Sequence, residues 1–515
     1  MNTSIDSDVQ RTVLVLTIFV SLFPLFVTPV LPLTDFYAHI ARYYVLANLP
    51  DSKSLQQHYE AAWHLLPNLG LDIVGVSIMK VLHPLLGAKL IAGLIIAAPF
   101  VGVLYLSHVL HGRIAILNVL LAGLIAYNHI LIWGFSNFLL GLGVLLGATG
   151  YWITTQDRPK RQLLVASVLG LLLFFIHGFA FALWGLILGM VELSLALRAG
   201  YPGFATPARR AGRLALIAVA PVLLFLQTKT AGGGAASSVS NLLAHAEKGT
   251  LWERLSTEVF LRIDGFLRVA DSTWRAFDYG FGIVLWGALI CGLLTGVWHI
   301  DKRMKLAVAL CAVLVVIIPP NLFGVGHLSE RTPLLLLTLL AASLSLDPDA
   351  KPSYRQAAIA TLAGLLLIRN LVLTTGWYQD GRNYAAFLDA LNTHDTLSLG
   401  AGAYLEDTRN PQMFRPSCIP LSFLMVFNGT AVPTFANPTQ QPIRLVGPLN
   451  DIQTATRQIS GDTEYTVPSA LAVLSQAQAD TVVVCAVDSF RQQVDGFRIL
   501  AATEPWTLYQ RATSP

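Results

Sequence analysis

The sequence predicts an α-helical multi-pass membrane protein that carries a small α/β domain outside the membrane at its C-terminal end. Hydrophobic residues make up 54% and charged residues 12% of the 515-residue chain, whereas soluble domains carry roughly 25% charged residues. The mean hydropathy is +0.60. From about Tyr378 onward, polar residues and short strand-like patterns replace the long apolar runs. We therefore expect a transmembrane domain at 1–377 and an extracytoplasmic domain at 378–515.

A helix that crosses a membrane needs roughly 20 predominantly apolar residues, and the chain contains about 11 such runs. The first run carries no cleavage site, so we expect an uncleaved first span. The stretch 162–197 fits two spans or one long tilted helix, and the run at 73–87 is more typical of a helix at the membrane surface. The predicted spans are 12–33, 88–108, 114–133, 135–155, 162–176, 178–197, 214–228, 280–299, 306–324, 332–346 and 356–376.

The distribution of Lys and Arg predicts the topology through the positive-inside rule. With the N-terminus in the cytoplasm, basic clusters fall in inward loops such as 157–161, 198–213 and 301–305. The short outward connections supply one basic residue, Arg331. This orientation places the long loops 34–87 and 229–279 and the C-terminal domain on the outer face. The short loops are typical of a bacterial inner (plasma) membrane protein, whose outer domain is periplasmic or extracellular.

The outer segments have patterns of their own. A glycine-rich run at 231–238 is typical of a flexible linker, and the apolar spacing of 251–274 predicts a surface-lying amphipathic helix. In the C-terminal domain, 397–405, 481–487 and 497–510 read as strands, and 378–393 and 469–478 as helices. Cys418 and Cys485 can pair there if the compartment is oxidising.

Polar side chains suited to chemistry concentrate on the predicted outer face. Asp35, His39 and Arg42 stand at i, i+4 and i+7, so a helix would carry them on one face. Glu60 and His64 repeat the i, i+4 spacing. Later in the chain, a further group precedes a predicted span, and it consists of His327, Glu330 and Arg331.

These residue types fit the transfer of a sugar from a lipid phosphate. A carboxylate must take the proton of the acceptor hydroxyl as it attacks, and Asp35 suits this role. Cations or a metal must stabilise the departing phosphate, and Arg331 suits this role, together with Arg42 or a carboxylate-bound divalent ion. The net charge of +4 and the lack of a basic stripe give no indication of a nucleic-acid partner.

The same residues resemble the C-type (GT-C) glycosyltransferase superfamily, which includes the protein O-mannosyltransferases and the bacterial aminoarabinose–lipid A transferases. In that superfamily an Asp follows the first span in a long outer loop with juxtamembrane helices, as Asp35 does here. Bacterial members beside polysaccharide gene clusters are similar in detail. They share an Asp with a His four residues on, a Trp and a Pro-Asn in the same loop, and a late Glu-Arg pair, here Asp35 and His39, Trp63 and Pro67-Asn68, and Glu330-Arg331.

The resemblance implies a polyprenyl-phosphate-linked sugar donor, a glycan, lipid or protein acceptor, inversion at the anomeric carbon and an active site at the outer membrane face. It implies a role in cell envelope polysaccharide. It also implies site roles for Asp35, His39, Glu330 and Arg331. Their place on the predicted outer face makes Arg42, Glu60, His64 and His327 further candidates for substrate binding. Phe36 and Tyr37 follow Asp35, so the Asp-Glu or Asp-x-Asp pair of the better-studied families is missing. The use of a divalent metal and the identity of the sugar therefore stay open.

Several of these residues also have a structural interpretation. Asp35 is well placed to cap the helix that follows it, and Arg42 can extend to lipid head groups. Glu60 and His64 fit a surface pair at helical spacing, and Arg331 fits a head-group anchor before a span. His177 and Arg369 stand near or within spans, where ionisable groups are functional candidates by default.

Two other functions compete with the glycosyltransferase. A transporter or flippase of lipid-linked saccharides predicts charges midway through several spans and a two-fold internal repeat. The spans here are mostly uncharged internally, and no repeat is visible. A non-catalytic assembly protein of the same fold is the third possibility. We expect Asp35 and Arg331 to meet at one cavity if the chain is the enzyme.

Overall fold

The computed structural model of the protein describes residues 7–199, 205–228, 251–272, 274–320, 322, 325–393, 399–405, 418–434, 440–460, 464–486, 491–504 and 506–512. In that part of the chain, nine helices are long and apolar enough to cross a membrane, which confirms the helical multi-pass class. The glycine-rich run at 231–238 lies outside the described residues. The nine helices are Asp8–Val27, Pro84–His111, Ile116–Trp133, Ser136–Thr154, Pro159–Ile176, Gly178–Arg198, Ala208–Gln227, Arg275–Leu294 and Pro352–Asn392.

Two predicted spans form helices of 13 and 16 residues, which are not among these nine. The predicted span 306–324 is the helix Lys305–Ile317, because Pro319 and Pro320 follow and disfavour helical backbone in the residue before them. The predicted span 332–346 is the helix Leu328–Ser343, which begins before the apolar run and therefore includes Glu330 and Arg331. The bounds predicted at these two places were wrong, since hydropathy alone does not detect where a helix begins or ends.

Other boundaries also differ from those predicted. The stretch 162–197 forms two helices that break at His177. The predicted span 356–376 and the predicted helix 378–393 form one continuous helix, Pro352–Asn392. Within Ile116–Trp133 the helix is interrupted, and Asn128 caps the second part by accepting the backbone N–H of Leu131 at 2.9 Å. The predicted surface helix at 73–87 is the shorter Gly70–Met79.

The described chain divides into two compact units. The first contains the membrane-length helices between residues 92 and 376 with Met1–Phe26 and the short segment Leu65–Gly70. The second combines Val27–His64 and Leu71–Ile91 with Trp377–Pro515. Most of the predicted first outer loop and the C-terminal part of the chain therefore share one unit.

In the first unit, short elements connect the long helices. The strands Trp298–Ile300 and Leu344–Leu346 pair antiparallel. The amphipathic stretch forms the helix Leu251–Leu267, which approaches the start of Leu328–Ser343 closely. A Cβ on Gly265 would lie 2.8 Å from the carbonyl oxygen of Ser329, so only glycine fits this contact without a shift.

The second unit contains a mixed four-stranded sheet. Its strand order is Gly400–Tyr404, Thr481–Cys485, Trp506–Arg511 and Phe497–Thr503; the first two run parallel and the remaining pairs antiparallel. All five residues of Thr481–Cys485 are buried, as expected for a central strand covered on both faces. The predicted strand 497–510 is a hairpin of two strands. The helices of this part are Ile419–Leu424, a 3₁₀ turn Met425–Asn428, Pro448–Ser460 and Val467–Gln476.

The first loop packs into the same unit as this sheet. It contributes the helices Phe36–Asn48 and Lys53–Gln56 and the strand Tyr59–Ala61, which pairs antiparallel with Ile443–Leu445. The buried hydroxyl of Tyr59 donates to the carbonyl of Val432 at 2.6 Å and accepts that residue's N–H at 2.8 Å. The ring of Tyr44 lies edge-on to Phe427 at 5.4 Å. These long-range contacts position the helix that begins after Asp35.

Candidate functional site

Arg331 is a buried cation of the first unit, and aromatic rings surround it. Its side chain is 5% exposed, and its guanidinium lies 4.4 Å from the ring centroid of Phe135 and 5.2 Å from that of Phe138. No carboxylate of the described residues forms an ion pair with it within 4 Å, and its Nε has no hydrogen-bond partner among them. A buried cation that no carboxylate neutralises is costly, so this geometry favours an anionic ligand.

The hydrogen bond to His177 does not satisfy Arg331. The Nη1 of Arg331 lies 3.1 Å from Nε2 of His177, while the backbone N–H of Ala180 points to Nδ1 of the same ring at 3.2 Å. A neutral imidazole has one acceptor nitrogen and one N–H. It therefore accepts from Ala180 or from Arg331 but not from both. One buried donor at this turn stays unsatisfied unless an oxygen from elsewhere accepts it.

His327 and Glu330 lie beside Arg331, as their spacing in the sequence requires. His327 precedes the helix Leu328–Ser343 in a left-handed conformation, φ 56°, which is uncommon for a residue other than glycine. Its Nδ1 lies 3.3 Å from Glu330 Oε1. Its ring contacts Trp133 and Phe135, with centroids 4.9 and 5.1 Å apart. Glu330 therefore interacts with His327, and the ring of Phe135 contacts both His327 and the Arg331 guanidinium.

A second polar group in this unit was missed as a site from the sequence. Asp271 is fully buried, and its carboxylate accepts from Nδ1 of His129 and from Arg268 at 2.9 Å. The indole N–H of Trp133 donates to Nε2 of His129 at 2.8 Å, so the proton of a neutral His129 is on Nδ1. Burial by itself raises the pKa of Asp271, but Arg268 and His129 outweigh it and hold that pKa at about 2.

The spacing Arg268-x-x-Asp271 is the one signal that the sequence offers for this group. It falls within the stretch that we interpreted as a surface helix, where alternating charges are usually solvated. The helix ends at Leu267, and the chain then turns inward. Burial of Asp271 depends on that turn, which no periodicity predicts.

The Pro67-Asn68 motif of the first loop lies in the same unit as Arg331. The Asn137 side chain donates to the carbonyl of Asn68 at 3.2 Å. A Cβ on Gly178 would lie 3.5 Å from Cβ of Pro67. The motif therefore borders the turn that contains His177, which in turn contacts Arg331. Two of the sequence features that define the resemblance thus belong to one neighbourhood.

Asp35 belongs to the second unit, at the N-cap position of the helix Phe36–Asn48. Its side chain forms no capping hydrogen bond, so the purely structural interpretation of Asp35 as a cap was wrong. The side chain is half-buried. Burial raises the pKa of the nearby Tyr404 hydroxyl well above its usual range, and the Asp35 carboxylate adds to this rise. The Asp35 carboxylate therefore does not cap the helix that follows it.

His39 and Arg42 share one face of this helix, as predicted. Arg42 is 1% exposed, and its Nε lies 2.7 Å from Oδ1 of Asp72. Its Nη2 lies 2.9 Å from Nδ1 of His39. Because Arg42 is buried and paired, its interpretation as a head-group anchor was wrong. Burial lowers the pKa of His39 well below its usual range and Arg42 adds to this, so His39 is neutral.

Glu60 and His64 do not form a pair on a helix, and that interpretation was wrong. Glu60 stands in the strand Tyr59–Ala61, where neighbouring side chains alternate between faces. Its carboxylate forms an ion pair with Arg444 at 3.2 Å, and both side chains are more than half exposed. Nδ1 of His64 lies 2.6 Å from the carbonyl of Ala62. A role of either residue in substrate binding stays a prediction.

The described residues do not offer a ready donor set for a metal ion. No group of three His, Cys, Asp or Glu side chains in that part of the chain could hold one. The use of a divalent metal stays a prediction. Asp35 and Arg331 belong to different units, and their meeting at one cavity stays a prediction.

Comparison with known proteins identifies two solved structures to which the chain is similar. One is the crystal structure of ArnT from Cupriavidus metallidurans bound to undecaprenyl phosphate, with 12% sequence identity, coverage of 99% of each chain and a TM-score of 0.49. The other is the apo state of the same protein, with 12% identity, coverage of 98% of each chain and a TM-score of 0.47. No family model matches the chain, and no curated protein matches it.

Proposed function

We propose that the protein is a membrane glycosyltransferase that moves a sugar from a polyprenyl-phosphate donor to an acceptor at the outer membrane face, with inversion. The observation that supports this most directly is the buried Arg331 guanidinium, which has no carboxylate partner among the described residues. A donor phosphate supplies the negative charge that is lacking there. Arg binds phosphate through paired N–H groups, and such charge-assisted hydrogen bonds are roughly twice as strong as neutral ones.

The surroundings of Arg331 suit a phosphate that becomes more negative during the reaction. Phe135 and Phe138 flank the guanidinium at 4.4 and 5.2 Å and exclude water from its faces. In such an environment a fixed cation stabilises developing charge more strongly than it does in water. The unsatisfied donor at His177 adds a second hydrogen bond to the same anion. The leaving polyprenyl phosphate then departs as a stabilised anion.

Asp35 acts as the general base in this proposal. Its carboxylate takes the proton from the acceptor hydroxyl as the acceptor oxygen attacks the anomeric carbon. The new carbon–oxygen bond forms on the face opposite the breaking bond to the phosphate oxygen, which inverts the configuration. The bonding electrons leave with the phosphate, so no acid is required to protonate it. The half-buried position of Asp35, directly before the helix Phe36–Asn48 in the predicted outer loop, supports this role.

Binding and transfer test the two residues separately. Full-length protein in detergent is titrated with undecaprenyl phosphate, with undecaprenol as the lipid that lacks the phosphate. We expect thermal stabilisation by the phosphate alone, and we expect Arg331→Gln to abolish it. Arg444→Gln, which removes an exposed guanidinium, should bind as the unchanged protein does. Equal stabilisation by both lipids would overturn the phosphate role of Arg331.

Mass spectrometry of lipid-linked sugars in cells tests the transfer step. Cells that contain Asp35→Asn should accumulate the unused donor as cells without the protein do, although the variant still binds undecaprenyl phosphate. Asp51→Asn, an exposed carboxylate in the same unit, is the matched control and should restore turnover. If Asp35→Asn restores turnover as well, the base is another residue or the protein is a transporter or an assembly factor.

A further inference from the structure

A cavity of about 640 Å³ lies away from the residues discussed above, within the first unit. It is bordered by the end of the helix Gly178–Ala199, by the strand Trp298–Ile300 and by the turn that leads into the helix Lys305–Ile317. Its size is within the range of small-molecule sites. The positive-inside rule predicts that this face is cytoplasmic. The lining residues are Arg198, His299, Ile300, Asp301, Lys302, Arg303 and Lys305.

The charge of the lining is strongly positive. Asp301 forms an ion pair with Arg303, whose Nε lies 2.9 Å from the carboxylate. No carboxylate of the described residues lies within 4 Å of the remaining three cations, which are Arg198, Lys302 and Lys305. Three cations that share one cavity without counter-charge repel each other. An anion in the cavity removes that repulsion.

The position of the helix Lys305–Ile317 increases the positive potential. The start of a helix carries a partial positive charge, and cations there are unfavourable while anions are stabilised. Lys305 is the first residue of this helix, and Met304 at the N-cap provides no side-chain hydrogen bond. The positive-inside rule accounts for basic residues in this loop. It does not account for their meeting Arg198 from a separate loop at the start of a helix.

The apolar surface next to the cavity indicates what kind of anion fits. Leu197 directly precedes Arg198, and Leu193 stands one turn earlier on the same helix; they are 51% and 41% exposed. Exposed apolar side chains on a membrane-length helix such as Gly178–Arg198 face acyl chains, so Arg198 lies at the end of a lipid-facing surface. A soluble anion requires no such surface.

We propose that this cavity binds the head group of an anionic phospholipid, with the phosphate among Arg198, Lys302 and Lys305 and the acyl chains along the leucines of the neighbouring helix. Basic pockets between membrane helices are suited to such head groups. The site is separate from Arg331 and does not depend on a sugar donor. Its test is therefore independent of the proposed enzymatic activity.

Native mass spectrometry and thermal unfolding of the full-length protein in detergent test the proposal. We expect phosphatidylglycerol to remain bound and to stabilise the protein, and phosphatidylcholine to do neither. The double variant Lys302→Gln/Lys305→Gln should weaken phosphatidylglycerol binding by roughly fivefold for each cation removed. Lys160→Gln/Arg161→Gln removes the same charge from another predicted inner loop and should bind phosphatidylglycerol normally.

Three results overturn the proposal. One is equal retention of the two lipids, and another is unchanged phosphatidylglycerol binding in the Lys302/Lys305 variant. The third is full displacement of phosphatidylglycerol by inorganic pyrophosphate at millimolar concentration, since this identifies the cavity as a site for soluble anions. Binding of undecaprenyl phosphate by the same variant is measured in parallel. The unfolding temperature of each variant without added lipid is measured as well, and an unchanged value confirms that the variant is folded whether or not undecaprenyl phosphate binds.

Discussion

Arg42 and Asp72 are 30 positions apart in the sequence and form a buried ion pair, with Nε and Oδ1 separated by 2.7 Å and Nη2 and Oδ2 by 3.3 Å. Both side chains are at most 2% exposed. The pair connects the helix that follows Asp35 to the helix Gly70–Met79. It therefore stabilises the position of the helix that directly follows Asp35, the proposed general base.

Removing one member of this pair should destabilise the protein strongly. Asp72→Asn leaves the Arg42 charge buried without a partner, and we expect a loss of about 3–5 kcal/mol in the free energy of unfolding. Unfolding in mixed micelles with increasing SDS provides the measurement. Glu60→Gln breaks the exposed pair with Arg444 and is the control, with an expected loss of about 1 kcal/mol or less. Similar losses in the two variants would show that the Arg42–Asp72 pair contributes no more than a surface pair.

The neutral state of His39 should make stability depend on pH. Its pKa is lowered by burial and by Arg42, so the unfolded chain binds a proton at pH values where the folded chain does not. The free energy of unfolding should therefore decrease as the pH falls below the usual histidine range, and it should be fully retained above that range. His39→Asn should reduce the difference in melting temperature between pH 7.5 and pH 5.5.

A matched variant shows whether the pH dependence of stability comes from His39 or from another histidine. His83 is exposed in the same unit, and His83→Asn should retain the full pH dependence of the unchanged protein. If His39→Asn also retains it, then His39 does not contribute to the pH dependence in this range.

Gly265 should be intolerant of a side chain. An alanine Cβ at this position would lie 2.8 Å from the Ser329 carbonyl and 3.1 Å from Cα of Glu330, which forces the two helices apart. Overpacking of this kind costs about 1–3 kcal/mol. The displacement acts at the turn that precedes Arg331, so binding of undecaprenyl phosphate should weaken as well.

Gly287 provides the control for Gly265. An alanine Cβ there has no neighbour within 4 Å, and alanine is favoured over glycine within a helix by about 0.5–1 kcal/mol. Gly287→Ala should therefore melt at the same or a higher temperature and bind the lipid normally. Equal behaviour of the two variants would contradict the close contact at Gly265.

Cys418 and Cys485 should form a disulfide in an oxidising compartment. Both are buried free thiols, and Cys418 is close enough to Cys485 to form a hydrogen bond with it. Burial raises the pKa of the Cys485 thiol well above its usual range, so oxidation should be slow once the chain has folded. Mass spectrometry without reductant should detect the linked peptides in protein exported by cells, and Cys418→Ser should remove them. Unlinked peptides in the unchanged protein would indicate a reducing environment or the opposite topology.

The sequence predicted the class of the protein and the position of most of its helices, because hydropathy and length act locally. It also placed His39 and Arg42 on one helix face, since residues three or four apart always meet there. These properties depend on neighbours in the chain, and no distant contact is required to establish them.

Only the tertiary structure decided which partners these residues have. Asp72 is the partner of Arg42 and His177 that of Arg331, while Glu60 lies in a strand that pairs with residues near 444. The burial of Asp271 likewise follows from a turn after Leu267. Such pairings join segments that are tens to hundreds of residues apart, and the secondary-structure propensity of a short segment does not predict them. The sequence thus determined which charges the chain carries, whereas packing decided which of them are neutralised and left Arg331 without a carboxylate partner among the described residues.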